Sequence, residues 1–170
     1  MRGQVEAGSH GEKRDAVLQR RLVVLAVILA VAAAVHLADH AIRGEIVADN
    51  NLNPEWDHSG WPFTDDLTPF TPSLTIPLIF LTAAALTLRG RLWAGFWLAW
   101  GIAVTAVVIF VHFVPTGQTE TLGVIYRTYD HGAGAPVAGA VAVLDVAIIV
   151  AGLATLIALA IRTRRSSGRW

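Results

Sequence analysis

The chain alternates between long stretches with almost no charged residues and short polar segments. Three apolar stretches cover residues 22–42, 92–114 and 137–161, and a fourth, shorter one covers residues 73–88. A run of about 20 apolar residues is long enough to cross a bilayer as a helix, and within hydrocarbon every backbone polar group must bond inside its own segment. The pattern therefore predicts an all-α membrane protein, a bundle of four transmembrane helices over about residues 22–43, 73–88, 92–114 and 137–161.

Glycine and proline mark the expected ends of these helices. Gly44 is expected to end the first helix, Pro115 to close the third, and Pro136 to stand at the start of the fourth. Pro77 lies one turn into the second helix and cannot donate a hydrogen bond to the carbonyl of Ser73. The second helix is therefore expected to begin with a kink or a loosened first turn.

Composition agrees with this prediction and excludes several classes of protein. Of the 170 residues, 15% are charged and 54% are hydrophobic, whereas a soluble domain carries about 25% charged residues. The chain has no cysteine, which excludes disulfides, thiolate metal ligands and thiol catalysis. A soluble enzyme, a disordered chain and a disulfide-stabilised secreted module are all excluded.

The basic residues are concentrated on one side of the predicted bundle. Eleven of the thirteen lie in the two tails or at Arg89 and Arg91, and only Arg43 and Arg127 lie on the other side. The positive-inside rule then predicts that both termini are cytoplasmic. A cleaved signal peptide is the alternative for the first stretch, but that stretch is long for one and the charge distribution needs an even number of spans. The cytoplasmic tails are expected over residues 1–21 and 162–170, around a transmembrane domain of residues 22–161 with outward loops 44–72 and 115–136.

Polar residues gather in the outer half of the predicted bundle. At 100° per residue, one face at the end of the first helix carries His36, Asp39, His40 and Arg43. His112 lies near the end of the third helix, and Asp145 lies about 13 Å down the fourth. Ionisable groups in hydrocarbon cost several kcal/mol unless they are paired or hydrated. The sequence therefore predicts a polar pocket that opens outward.

The residue types in this pocket suit a transition metal. Histidines four residues apart can bind one ion from adjacent helical turns, and a carboxylate can join them or orient an imidazole. Zinc, iron, copper and manganese all suit imidazole with carboxylate, and haem is a weaker alternative that needs facing histidines such as His40 and His112. The candidate ligands are His36, Asp39, His40 and His112, with Arg43 and Asp145 as pocket residues.

Two other interpretations of the same residues stay open. In the first, the charges satisfy one another and lock the bundle of a structural or accessory subunit of a membrane complex. In the second, the histidines move protons in a small-solute carrier or a membrane enzyme. The residue pattern alone does not choose among the three interpretations.

The first helix also predicts a packing surface. Small residues repeat at every fourth position on the side away from the polar face, at Ala26, Ala30, Ala34 and Ala38. Such a stripe lets another helix approach closely, including one from a partner membrane protein or a second copy of the chain. The apolar stretches make the lipid bilayer an expected partner. Nucleic acid is not expected as a partner, because neither outward loop has a basic patch.

Three motifs resemble those of a set of small four-helix bacterial, actinobacterial-like membrane proteins that have no assigned activity. The motifs are HLADHAIRGE from residue 36, SGWPFTDDLTPFTPSLTIPLI from residue 59 and VHFVP from residue 111. The resemblance covers roughly residues 36–115, with Val47–His58 as an insertion. It implies that Arg43, Gly60, Trp61 and Pro62 belong to the same outward site as the histidines, and that the protein lies in a bacterial cell membrane.

Overall fold

Every regular element in the computed structural model is a helix within the residues that it describes, which are 2–50, 70–115, 120–131 and 135–166. A single turn of 3-10 helix, Tyr129–His131, lies between the last two α-helices. The all-α prediction is therefore confirmed for the described part of the chain. The α-helices in chain order are α1 (Arg2–Asp49), α2 (Phe70–Ser73), α3 (Thr75–Leu88), α4 (Ala94–Phe113), α5 (Leu122–Thr128) and α6 (Ala135–Ser166).

Three helical segments are long and apolar enough to cross a membrane. They are Asp15–Val47, Ala94–Phe113 and Pro136–Arg165, with mean hydropathies of 2.5, 2.2 and 2.6. Helix α3 is also apolar, but its 14 residues extend only about 21 Å, less than the roughly 30 Å of hydrocarbon in a bilayer. The described residues thus form an all-α structure with three candidate membrane-spanning helices, and the fourth span stays a prediction.

The long helices pack side by side and alternate in direction. Helix α1 lies between α3 and α6, and α6 also packs along α4. Gln19, Arg91 and Thr163 line one cavity, so the beginning of the apolar part of α1, the turn between α3 and α4 and the end of α6 lie together. We call this the arginine end. His36, Ser73 and His112 line a second cavity at the opposite end, which we call the histidine end.

Small side chains allow close packing in the core between these ends. Ala26 and Ala30 are buried there, beside Leu29, whose side chain covers Gly152 so closely that a Cβ on that glycine would lie 2.7 Å from it. Large side chains from the other helices fill the remaining space, among them Phe80, Trp97, Leu153 and Leu156.

The predicted alanine stripe does not form one surface. Ala26 and Ala30 are buried inside the chain's own bundle, whereas Ala34 and Ala38 are exposed. Each step of four residues turns 40° beyond a full circle, so the stripe rotates by about 120° from its first member to its last. Contact with a second copy or another membrane protein stays a prediction that involves Ala34 and Ala38.

Helix α1 extends beyond its predicted end. It continues past Gly44 to Asp49, so the predicted outward loop 44–72 begins with helix. A glycine inside a helix costs roughly 1 kcal/mol, and packing offsets that cost here because Ile46 contacts a second apolar cluster that includes Ile125 and Val146. Helix α1 also begins at Arg2, so the predicted tail 1–21 is helical where the structure describes it.

The helix over residues 70–88 is interrupted near Pro77 and closes at Gly90, as the sequence predicts. The helix breaks at Leu74, between α2 and α3, where Pro77 supplies no N–H to the carbonyl of Ser73. At its other end, α3 closes on Gly90, whose φ is +67°. The N–H of Gly90 bonds Thr87 O at 3.0 Å and that of Arg91 bonds Leu86 O at 2.9 Å, which is a Schellman motif.

The predicted outward loop 115–136 contains structure that covers the histidine end. Helix α5 packs against α6. The contact is close at Gly139 of α6, where an added Cβ would lie 3.0 Å from the backbone oxygen of Tyr126. The buried side chains of Ile125 and Tyr129 join Val146 of α6 in the second apolar cluster. Helix α5 therefore fixes the positions of two residues at its ends, Glu120 and Tyr129.

Candidate functional site

The polar residues at the histidine end come from five separate segments and form one cluster. Most of them are buried, and Arg43 and Glu120 have no measurable exposure. The cluster comprises His36, Asp39, His40 and Arg43 of α1, His112 of α4, Glu120 just before α5, Tyr129 of the 3-10 turn and Asp145 of α6.

The guanidinium of Arg43 lies between two carboxylates. Its Nε donates to Asp39 Oδ2 at 2.6 Å, one helical turn away. Its Nη2 donates to Glu120 Oε2 at 3.2 Å, and its Nη1 forms an ion pair with Glu120 Oε1. The planar fork of arginine suits this two-sided pairing, and a fully buried cation needs such partners to offset its lost hydration. Arg43 thus ties α1 to the segment that leads into α5.

Asp39 uses both of its oxygens in this network. Oδ2 accepts from Arg43, and Oδ1 accepts the hydroxyl hydrogen of Tyr129. Burial, this hydrogen bond and the negative charge of Asp39 raise the pKa of Tyr129 well above its usual value. The phenol therefore stays protonated and keeps donating to Asp39, so both oxygens of that carboxylate are hydrogen-bonded within the cluster.

The three imidazoles pack edge to face around His36. Its ring centroid lies 4.8 Å from that of His40 and 5.0 Å from that of His112, with interplanar angles of 89° and 87°. On the other side, His36 Nδ1 lies 3.5 Å from Asp145 Oδ2 of α6. A carboxylate beside one ring nitrogen favours the tautomer that carries hydrogen there, which leaves the lone pair on Nε2.

The tautomer of His112 follows from its neighbour. Its Nδ1 lies 2.8 Å from the backbone oxygen of Glu120. A carbonyl oxygen only accepts, so Nδ1 must carry the hydrogen and Nε2 the lone pair. Histidines that bind metals commonly donate their other ring N–H to a carbonyl or a carboxylate in this way. Both His36 and His112 therefore have an arrangement typical of metal ligands.

The side chain of Glu120 completes a group of three candidate ligands. One ligand atom each from His36, His112 and Glu120 lie within 4.8 Å of one another. In a tetrahedral zinc site with bonds of about 2.1 Å, ligand atoms are about 3.4 Å apart. A movement of little more than about 1 Å would therefore bring the three atoms onto one ion. His40 Nε2 lies 3.1 Å from Glu120 Oε2, so His40 is placed to orient that carboxylate.

A cavity below the histidines is too narrow for haem. It has a volume of about 80 Å³, and His36 and His112 share its lining with apolar side chains such as Phe80 and Val108. The imidazole of His36 packs edge to face against both His40 and His112, the axial pair that the sequence offers for haem, so it crowds the space that a planar macrocycle would need. The geometry favours a single ion over haem.

The cluster carries more negative than positive charge. Asp39, Glu120 and Asp145 each have at most 12% of the side chain exposed, and Arg43 is the cation among them. The sequence has no Lys or Arg from residue 44 to residue 88, and Arg127 of α5 is exposed. With neutral imidazoles, two negative charges stay unbalanced in a largely buried site. A divalent cation or two protons would balance them.

The structure brings most of the sequence-predicted residues together but gives them different roles. His36 and His112 lie where a metal would need them, while Asp39 and His40 bond to other members of the cluster. Arg43 and Asp145 lie beside them as pocket residues, and Trp61 lies outside the described residues.

Sequence reasoning missed Glu120 and Tyr129. Glu120 is the one acidic residue between positions 115 and 129, which is a signal, because a cation buried in the outer half of a membrane bundle needs a carboxylate. No spacing rule connects residue 120 with residue 43, since the contact depends on how α5 packs.

No family model, curated protein or solved structure matches this chain.

Proposed function

We propose that the chain is a four-span protein of a bacterial cell membrane, with both termini in the cytoplasm and the histidine end facing outward. The Lys and Arg distribution supports this orientation. The extent of α2 and α3 along the bundle supports the fourth span. At the arginine end, Gln19 Nε2 of α1 donates to Thr87 O at 2.5 Å. At the histidine end, Ser73 lines the same cavity as His36 of α1. Residues 70–88 therefore cover the same depth as the apolar part of α1.

Cysteine labelling tests this topology, and the chain is well suited to it because it has no cysteine of its own. A membrane-impermeant maleimide added to intact cells should label Glu45→Cys and should leave Arg89→Cys and Arg165→Cys unlabelled. All three positions are exposed in the structure. Permeabilised cells, in which all three variants should react, provide the control. Labelling of Arg89→Cys from outside would show that residues 70–88 do not cross the membrane.

The function that the geometry supports best is binding of a transition-metal ion at the histidine end. The convergence of His36, His112 and Glu120 within 4.8 Å carries this proposal. Two imidazoles and one carboxylate are the ligand set of catalytic zinc sites and of non-haem iron sites, which keep at least one coordination position open. The charge on the ion would also balance the two excess negative charges of the cluster.

Elemental analysis of the detergent-purified protein tests the metal proposal. The wild-type chain should contain close to one transition-metal ion, and the His36→Ala/His112→Ala variant should contain none, because two of three ligands are gone. His131→Ala is the matched control, since His131 is exposed and lies outside the cluster. A wild-type protein that stays metal-free after incubation with zinc, iron, copper and manganese salts would contradict the proposal and favour protons as the balancing charge.

A further inference from the structure

The arginine end contains a large cavity that the metal proposal does not involve. Its volume is about 630 Å³, and it lies between α1, the turn that joins α3 to α4, and the end of α6. Its lining is polar at the rim and includes Asp15, Gln19, Arg91, Trp93, Gly95 and Arg164.

The charges around this cavity favour an anion with one negative charge. Arg91 of the α3–α4 turn and Arg164 of α6 face the cavity from different elements, and Asp15 of α1 lies on the same rim. These three groups leave one net positive charge. A phosphodiester carries one negative charge, and arginine is the side chain best suited to its oxygens.

The beginning of α4 adds donors to the same cavity. Trp93 precedes the helix in an extended conformation and makes no side-chain capping bond, and the first turn has no acidic residue. The first N–H groups of a helix have no partners within it and carry a partial positive charge. Ala94 and Gly95 of that turn line the cavity, and the Trp93 indole lies over Gly95, where a Cβ would come within 2.8 Å of Trp93 Cδ1.

The floor of the cavity is closed by a bonded network. Trp97, which is fully buried, donates through Nε1 to Thr87 Oγ1 at 2.9 Å, and Gln19 Nε2 bonds the backbone oxygen of Thr87. A charged group can therefore enter the rim but not the core. Two large apolar side chains are exposed near the cavity, since Leu88 is 67% exposed and Trp93 is 73% exposed.

We propose that this cavity binds the headgroup of an anionic phospholipid. The phosphodiester lies between Arg91 and Arg164 at the start of α4, and the acyl chains lie along the apolar surface beside Leu88 and Trp93. Basic pockets between helices at the cytoplasmic face of a membrane are a known way to hold such headgroups. The inference depends on neither the metal site nor its ligands.

A pair of double variants with equal charge tests the proposal. Arg91→Gln/Arg164→Gln removes the two cations that line the cavity. Arg89→Gln/Arg165→Gln removes two exposed cations that do not line it, one of them two residues from Arg91 and the other next to Arg164. The delipidated protein in a neutral detergent is titrated with short-chain phosphatidylglycerol, with short-chain phosphatidylcholine and with inorganic phosphate, and binding is followed by isothermal titration calorimetry. Thermal unfolding and the metal content of both variants are measured alongside.

We expect phosphatidylglycerol to bind the wild-type chain and to bind Arg91→Gln/Arg164→Gln at least about tenfold more weakly, because charge-assisted hydrogen bonds are lost. Arg89→Gln/Arg165→Gln should bind within about twofold of the wild type. Equal weakening in both double variants would overturn the proposal, because it would indicate general attraction by the basic surface. Inorganic phosphate that binds as tightly as phosphatidylglycerol would overturn the lipid assignment in favour of a free anion. We expect the metal content to be unchanged in both double variants, which would show that the loss of lipid binding does not arise from damage to the histidine end.

Discussion

Replacing Arg43 with methionine is expected to lower the free energy of unfolding by about 3–5 kcal/mol, the usual cost of breaking a buried ion pair on one side. Methionine fills a similar volume without charge. Asp39 and Glu120 then lose the guanidinium that both contact, and three carboxylates stay in a buried site with no cation. Thermal or denaturant unfolding in detergent, followed by circular dichroism, measures the loss.

Two further variants separate charge from bulk in this result. Arg127→Met removes an exposed arginine on α5 and should change stability by no more than about 0.5 kcal/mol. Arg43→Lys keeps the charge but replaces a planar fork with a point donor, so it should recover only part of the loss. A loss below about 1 kcal/mol for Arg43→Met would contradict the assignment of Arg43 as the residue that locks α1 to the α5 segment, because an uncompensated buried charge costs more than that.

Most of the fold could be predicted from the sequence because hydrocarbon imposes a simple rule. A long apolar stretch has to be helical, so α4 and α6 lie within a few residues of their predicted bounds. The loosened start of the second helix also follows from one residue, Pro77, through the hydrogen bond that it cannot make. The end of α1 could not be predicted in this way, because Ile46 packs against residues of α5 and α6 that lie far away in the sequence.

The candidate site was predictable in part, for a similar reason. Helical periodicity places His36, Asp39, His40 and Arg43 on one face without any knowledge of the fold. It does not say which carboxylate each of them meets. The phenol of Tyr129 engages Asp39, which the sequence offers as a ligand, and Glu120 comes from a segment that the sequence shows only as a loop. Both differences arise from the packing of α5 over the histidine end.

The second large effect is expected for Glu120→Gln, which removes a candidate ligand while keeping nearly the same shape. Zinc at 100 times its dissociation constant should stabilise the wild-type chain by about 2.7 kcal/mol. The variant should lose at least about a hundredfold in affinity, since even residues that only orient metal ligands contribute ten- to a hundredfold. The same zinc concentration should then stabilise it by at most about 0.4 kcal/mol. The shift of the unfolding transition with added zinc gives both values.

The controls decide which residues hold the ion. Glu45→Gln, which changes an exposed glutamate of α1, should keep the full stabilisation by zinc. His40→Gln should keep more of it than Glu120→Gln does, about 1.4 kcal/mol for a tenfold loss of affinity, because His40 orients Glu120 and lies outside the group of three. If His40→Gln abolishes the effect and Glu120→Gln does not, the ligands are the histidines of α1, as their spacing alone predicts. If zinc stabilises neither the wild-type chain nor any variant, the excess charge of the cluster is balanced by protons, because a divalent ion that binds only the folded state must stabilise it.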